Sequence, residues 1–243
     1  MTTASTSTAS TSTASFSTAS ASSGASVIPS GPTIRADISR PDAATLAAAR
    51  ALPAATLHEA GGRIGVLPSA IKPVAPQFRV CGPAVTVHSP GGDNLWLHRA
   101  LYVAQPGDVL VVHVNGAYDY GYWGEIMSAA AKACHLGGLV IDGCVRDGGI
   151  LADFGFPEFA RGLCIRGTGK DFGARGWINH PVLLDNLTVH PGDLIVGDTD
   201  GVVAVPLARA AEVVALATAR EAKEAAIIQR IQAGERTLEL YNF

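Results

Sequence analysis

The run Trp123-Gly124-Glu125-Ile126-Met127, followed by Gly137-Gly138-Leu139-Val140-Ile141-Asp142-Gly143-Cys144-Val145-Arg146-Asp147, decides how this chain is read. A helix over residues 123–134 feeds a strand over residues 138–145, and the strand ends on an Arg-Asp pair. The aliphatic stretch Leu139-Val140-Ile141 shows no polar alternation, which is the pattern of a strand covered on both faces. Helices flank such sheets, and the loops at element ends are where α/β proteins usually keep their chemistry. Asp142-Gly143 interrupts the strand and predicts a bulge or the close approach of another backbone.

Working outward, two segments repeat one device. Pro106-Gly107-Asp108-Val109-Leu110-Val111-Val112 and Pro191-Gly192-Asp193-Leu194-Ile195-Val196 are each a Pro-Gly-Asp turn feeding a buried strand. Two turns of one type predict recurrent sheet architecture. Further strands are expected over residues 80–87, 162–165 and 202–205, the last after a hairpin turn at Asp198-Thr199-Asp200-Gly201. Helices are expected from a cap at Ser39 or Asp42 through Arg50, with Pro41 near the first turn, and over residues 54–61. Another starts at Asp93 or Asn94, and a long one runs from about Leu207 to Ala233 and stops at Gly234. In the long helix Val213, Leu216, Ile227 and Ile231 fall mostly on helical spacing. The order of elements predicts a single α/β domain over residues 35–243.

Residues 1–34 precede it. Up to residue 30 they are almost wholly Ser, Thr and Ala, with no charged side chain before Arg35. Low complexity and few large apolar groups cannot offset the entropy of ordering, so a disordered tail is expected. The tail has neither the basic start and apolar core of a secretory signal nor the arginines of a transit peptide. The whole chain has 243 residues, 48% hydrophobic and 16% charged, enough for one sizeable core. A net charge of −3 with scattered Lys and Arg gives no basic run to attract nucleic acid. No apolar run is long enough to span a membrane. Cys81, Cys134, Cys144 and Cys164 form no CxxC pair and read as reduced thiols of a cytoplasmic protein.

The chemistry-bearing residues bracket the helix-strand pair. The first-turn N–H groups of Gly124, Glu125, Ile126 and Met127 lack intrahelical acceptors and form a cradle for a carboxylate or an oxyanion. Gly124 lets a ligand approach the backbone. Glu125 suits the positive end of the helix dipole, which is also its bland explanation. Arg146 has the planar fork that grips a carboxylate with two hydrogen bonds. Asp147 is a hard oxygen donor of the kind magnesium and manganese take, although Arg146 and Asp147 could equally form a surface ion pair. The seven histidines make no HxH or HExxH pattern, so a zinc site is not expected; His98, near Arg99, could border the pocket, but a packed or surface position is the favoured reading. Lys72, Lys132, Lys170 and Lys223 lie in no desolvated motif that would favour a Schiff base.

Glu125, twenty intervening residues and then Arg146-Asp147 resembles the acid-X20-Arg-Asp signature of the 4-hydroxy-4-methyl-2-oxoglutarate / 4-carboxy-4-hydroxy-2-oxoadipate aldolases. These sit in the RraA-like family, which also holds regulators of ribonuclease activity. Gly92-Asp93-Asn94-Leu95-Trp96, residues 162–168, residues 220–225 and residues 233–237 are similar to family segments as well. The resemblance spans about residues 38–243. In the family the acid of the signature is commonly Asp, whereas here it is Glu125.

The resemblance implies a β/β/α, swivelling-type core and a homotrimer or homohexamer with sites between subunits. It implies a divalent-metal-dependent aldolase that cleaves 4-hydroxy-2-oxo acids to pyruvate and a second oxo acid, with oxaloacetate decarboxylase activity and a place in aromatic-compound degradation. Arg146 would hold the pyruvyl carboxylate or keto oxygen. Asp147 would ligate Mg2+ or Mn2+ within a shell mostly of water, and Gly124, Glu125, Ile126 and Met127 would seat the pyruvyl group. On the C-terminal helix Glu221 or Glu224 would be an acid reaching a neighbouring subunit's site; the spacing alone fits a solvated face with Arg220 and Lys223 equally well. Extra substrate carboxylates would need cations, for which Arg99, Arg166 and Lys170 are candidates. A non-catalytic RraA-type regulator that binds a ribonuclease is the alternative, and a methyltransferase is disfavoured because no Gly-rich nucleotide loop follows a strand.

Overall fold

The computed structural model describes Met1 and residues 33–243. The expected tail therefore lies almost wholly outside the described residues. In chain order the elements begin with α1 (Ala43–Ala49), α2 (Ala54–Ala60), β1 (Lys72–Pro73), β2 (Val80–His88), α3 (Leu95–Ala100) and β3 (Val109–His113). They continue with α4 (Glu125–Ala133), β4 (Gly138–Ile141), β5 (Cys144–Val145), α5 (Gly148–Phe154), β6 (Glu158–Ala160) and β7 (Gly162–Leu163). The last group is β8 (Trp177–Ile178), β9 (Val182–Leu184), β10 (Leu187–Val189), β11 (Leu194–Asp198), β12 (Gly201–Val205), α6 (Ala210–Gln232) and α7 (Thr237–Tyr241).

The main sheet has the order β1-β6-β4-β3-β2-β11-β12, with β8 added to the end of β2. β2, β3, β4 and β6 run parallel through helical crossovers, whereas β11 runs antiparallel to both β2 and β12. The sheet curls into a nearly closed barrel, and one segment joins its two outer strands. Val66 bridges Val203 of β12, with Leu67 N–H donating to the Val202 carbonyl at 3.0 Å. A few residues on, Lys72 and Pro73 pair with Ala160 and Phe159 of β6.

Side-chain alternation along these strands sorts the apolar residues into separate cores. Val109, Val111, Val140, Phe159, Ile195 and Ala204 fill the inside of the curl. Leu110, Val112, Leu139 and Ile141 face the other way and pack with Trp96, Trp123, Met127 and Leu151, carried by or flanking α3, α4 and α5. Leu194, Val196, Val203 and Val205 pack with Leu57 of α2 and with Val213 and Ala217 of α6. Strands covered on both faces need no polar alternation, which is why the central runs read as continuously aliphatic.

The two Pro-Gly-Asp turns are structural twins. Gly107 and Gly192 share φ +87°, and each following aspartate closes its turn on a backbone N–H three residues upstream: Asp108 on Gln105 at 2.7 Å, Asp193 on His190 at 2.8 Å. Asp108 also receives Arg40 through Nε and Nη2, both at 2.8 Å. At α1 the cap is Asp42, whose carboxylate accepts from the N–H and hydroxyl of Thr45, and not Ser39.

Three expectations change. The strand read over residues 138–145 is two: β4 ends at Ile141, and β5 leaves the sheet to pair with β7. The break falls at Asp142-Gly143, where Asp142 turns inward to Arg161 Nε at 2.6 Å. The strand expected over residues 162–165 is only the short β7. The long helix packs only through its first half: Ala210, Val213, Val214 and Ala217 are buried, while Leu216, Ile228 and Ile231 are exposed. Ordered contacts also begin slightly before the expected boundary at 35, since Ile178 N–H donates to the Thr33 carbonyl.

Candidate active site

β5 threads between two loops. Gly121 and Tyr122 lie on one side, with Tyr122 N–H donating to the Cys144 carbonyl at 3.0 Å; Cys164 N–H donates to the Val145 carbonyl at 2.8 Å on the other. Arg146 N–H then donates to the Trp123 carbonyl at 2.8 Å, so the end of β5 is stitched to the lead-in of α4. This registration puts Arg146 and Asp147 beside Gly124.

Asp147 precedes α5 with φ +64° and ψ +28°, a left-handed conformation that costs a side-chain-bearing residue free energy and collects at functional sites. Its carboxylate makes no cap to its own helix. Instead Oδ2 reaches across and accepts the N–H of Glu125, the first residue of α4, at 3.2 Å. Arg146 Nε lies 3.7 Å from the same oxygen. Gly124 is extended, a conformation open to any residue; what requires glycine is contact. A Cβ there would press into Asp147 Oδ2 and sit 3.1 Å from Arg146 Cγ.

These groups share one cleft of about 390 Å3. Gly124, Glu125, Ile126, Met127, Arg146 and Asp147, all expected from the sequence, line it together. Of the first-turn N–H groups, Asp147 occupies that of Glu125, while those of Ile126 and Met127 have no intrahelical acceptor. Asp147 therefore does more than the sequence suggested, because it also tethers the start of α4.

The opposite wall comes from α3 and the loop 167–171. Asn94 Nδ2 donates to the Tyr122 carbonyl at 2.9 Å, and Asp93 Oδ2 accepts Asp171 N–H at 2.5 Å, which pins the loop to the start of α3. Thr168, Lys170 and His98 line this side. His98 is thus a cleft residue, the less favoured of its two sequence readings, and burial together with the nearby Lys170 charge lowers its pKa. Lys170 is the one of the three candidate cations in the lining; Arg99 lies over Trp96 at 4.5 Å and Arg166 over Tyr120 at 5.1 Å.

Glu221 and Glu224 are not in this protomer's cleft. Glu221 Oε1 accepts the Thr56 hydroxyl at 2.5 Å, and Glu224 pairs with Arg220 at 2.7 Å. Cys144, next to Val145 and Arg146 in sequence, is a buried thiol whose pKa is raised by burial, the wrong direction for a nucleophile.

Sequence reasoning missed Glu158. This carboxyl is fully buried under the start of α4 and accepts from, or donates to, Ser128 Oγ at 2.5 Å. The available signal was a glutamate in the short run Pro157-Glu158-Phe159-Ala160, a charge among strand-forming residues.

No helix among the described residues is long and apolar enough to cross a membrane, and none of them form a cluster of three or more His, Cys, Asp or Glu side chains able to hold a metal. The four cysteines are free thiols.

Residues 36–204, which include every residue lining the cleft, match the family described as RraA-like, Aldolase/RraA. A protein of Halalkalibacterium halodurans with the provisional name 4-hydroxy-4-methyl-2-oxoglutarate aldolase is 36% identical over 194 residues, 78% of this chain and 91% of its own length. An uncharacterized protein of Pseudomonas syringae pv. tomato superposes with a TM-score of 0.72 at 32% identity, over 82% of this chain and 93% of that one. Streptomyces coelicolor RraAS2, described as an unusual member of the RNase ES inhibitor RraA family, superposes with a TM-score of 0.68 at 30% identity, over 79% of this chain and all of that one. The family match covers more than half of the chain and the Halalkalibacterium halodurans relative is covered over 91% of its length, so the chain belongs to the Aldolase/RraA family.

Proposed function

We propose that this protein is a divalent-metal-dependent class II aldolase that cleaves 4-hydroxy-2-oxo acids, such as 4-carboxy-4-hydroxy-2-oxoadipate or 4-hydroxy-4-methyl-2-oxoglutarate, to pyruvate and a second oxo acid. The observation that carries the reading is the convergence of the α4 start, Arg146 and Asp147 in one cleft, with Asp147 held left-handed to face it. The aldolase name of the Halalkalibacterium halodurans relative supports it.

The residues fit a hard cation. Asp147 is an exposed carboxylate at the cleft and would be the protein ligand of Mg2+ or Mn2+, with oxygen from water and substrate completing the shell. Bound there, the cation supplies Lewis-acid stabilisation of negative charge developing on the substrate. The N–H groups of Ile126 and Met127 receive the pyruvyl carboxylate. Arg146 adds a fixed positive charge where the enolate develops. Glu125, exposed at the mouth of the cleft, receives the C4 hydroxyl proton through water. Lys170 sits across the cleft as the counter-charge for a further substrate carboxylate. Oxaloacetate decarboxylation would use the same groups, since it too leaves a pyruvate enolate.

We also infer a homo-oligomer, a trimer or a hexamer. Ile126, Leu163 and Ile165 are 79%, 63% and 96% exposed around the cleft, a concentration of apolar surface that a neighbouring copy would cover. In that assembly Glu221 or Glu224 would be the acid supplied to an adjacent site.

The test is pyruvate release from 4-carboxy-4-hydroxy-2-oxoadipate and from oxaloacetate, with magnesium and with a chelator. Release that needs the metal supports the proposal. No release from either substrate in magnesium sinks it and favours a non-catalytic regulator that binds a ribonuclease, a reading supported by the Streptomyces coelicolor neighbour's place in an RNase ES inhibitor family.

A further inference from the structure

Ser128 Oγ lies among three hydrogen-bonding groups. Trp123 Nε1 donates to it at 2.9 Å, the Gly124 carbonyl lies at 3.0 Å and Glu158 Oε1 at 2.5 Å. A hydroxyl has one proton to give. The indole is a donor only and the carbonyl an acceptor only, so the proton balance turns on Glu158. When Glu158 is protonated it donates to Ser128, and Ser128 donates to the Gly124 carbonyl. When Glu158 is ionised it accepts a hydrogen bond from the Ser128 hydroxyl, and the carbonyl loses the bond from that hydroxyl while keeping the one from the Ser128 N–H. Gly124 is the residue whose flank Arg146 and Asp147 crowd and whose successors form the candidate pyruvyl cradle.

We propose that Glu158 is a positioning residue for that cradle: acting through Ser128, it decides whether the Gly124 carbonyl, which accepts the Ser128 backbone N–H at 3.0 Å, carries a second bond from the Ser128 hydroxyl, and so biases the first turn of α4. The proposal rests on the reading of the α4 start as the pyruvyl site. Glu158 touches neither substrate nor cation.

The surroundings favour the protonated form. Glu158 is fully buried, and its Oε2 has no hydrogen-bond partner among the described residues, a costly arrangement for a charge. Burial pushes its pKa up to about 7; the hydrogen bond from Ser128 and the nearby Trp123 indole donor oppose this, and the negative charge of Asp147 adds to it. On the sheet side its register partner on β4 is Leu139, and its own carbonyl accepts Val74 N–H. Asp147, at the start of α5, is the charged group acting on it from the packed elements. A carboxyl poised near neutrality between two hydrogen-bond patterns makes the cradle sensitive to pH in the physiological range.

The experiment follows the indole N–H resonance of Trp123 by NMR in the full-length protein from about pH 5 to about pH 9, alongside the pH profile of oxaloacetate decarboxylation. The wild-type resonance should shift with a midpoint near neutrality, and the shift should vanish in Glu158→Gln, whose amide does not ionise and can donate to Ser128 as the protonated acid does. Glu158→Ala should lower kcat on the order of 10-fold with little change in KM, and Glu158→Gln should recover most of that loss and flatten the profile. Ser128→Ala removes the link, so it should abolish the shift while leaving Glu158 in place. A Trp123 resonance that does not titrate in the wild type, or that still titrates in Glu158→Gln, overturns the proposal. Absence of pyruvate release by the wild type from both oxaloacetate and 4-carboxy-4-hydroxy-2-oxoadipate overturns the aldolase reading alone, because the NMR comparison of the three proteins does not depend on turnover.

Discussion

The carboxylate of Asp147 accepts the backbone N–H of Glu125 at 3.2 Å, joining the starts of two consecutive helices across the floor of the cleft. One oxygen thus touches the anion cradle while Arg146 Nε stands 3.7 Å away, and the backbone is twisted left-handed to allow it. Asp147→Gly should remove the strain and leave the fold about 1 kcal/mol more stable or unchanged, while abolishing metal-dependent pyruvate release. Asp147→Asn, which tolerates the same conformation, should melt close to wild type and lose at least about 100-fold in turnover. Calorimetry and a coupled pyruvate assay check both; wild-type turnover in Asp147→Asn would remove this carboxylate from the chemistry.

Gly124→Ala should separate function from fold in another way. The backbone angles at 124 suit alanine, but its methyl group would push against the Asp147 carboxylate and the Arg146 side chain. We expect little loss of stability, because the crowded atoms belong to half-exposed side chains that can move aside, and a loss of on the order of 10-fold or more in kcat/KM as both side chains are displaced. The thermal melt and steady-state kinetics of one preparation decide this.

Arg146→Ala should reduce turnover by on the order of 100-fold or more, with Arg146→Lys recovering only part, because an ammonium lacks the planar fork. The side chain is 48% exposed, so the fold should be unaffected. Kinetics on oxaloacetate in magnesium would show it.

Glu158 predicts a pH dependence of stability. Its folded-state pKa of about 7 lies above its ordinary 4.5, so the folded protein holds a proton that the unfolded chain releases. Stability should therefore fall as pH rises between these values and level off above them, by about 3 kcal/mol for this group. Glu158→Gln should lack that component. Urea denaturation at several pH values, compared between the two proteins, measures the difference.

Arg161→Ala should be among the most destabilising surface-directed changes. Asp142 is 1% exposed and depends on Arg161 at 2.6 Å, with His113 Nδ1 farther off at 3.9 Å. Burial outweighs these partners and already raises the Asp142 pKa. Removing the guanidinium should cost about 3–5 kcal/mol above neutrality and less at low pH, where the carboxyl is protonated. Denaturant midpoints at two pH values test it.

Much of the fold was legible because its strands are covered on both faces. Val109-Leu110-Val111-Val112 and Leu194-Ile195-Val196 announce themselves as aliphatic runs after twin turns. Gly124 to Met127 with Arg146-Asp147 were legible as a set through the resemblance carried by Glu125, twenty residues and Arg146-Asp147, since spacing alone fitted a dipole-matched acid and a surface ion pair nearly as well. The rest depended on contacts distant in sequence. That β5 leaves the main sheet follows from Asp142 meeting Arg161. That His98 and Lys170 face Arg146 follows from Asp93 holding Asp171. The role of Ser128 and Glu158 depends on a strand laid beneath a helix thirty residues earlier. The exposed second half of α6 has helical spacing but no surface of this protomer to meet.

The segment 65–73 gives its first residues to β12 and its last to β6. The main sheet consequently offers no long row of unpaired donors and acceptors at either side. A chain that is 48% hydrophobic and only 16% charged thus withholds the template on which another extended chain could add. Deleting or loosening residues 65–71 should therefore show first as self-association of otherwise folded protein, before any loss of helix.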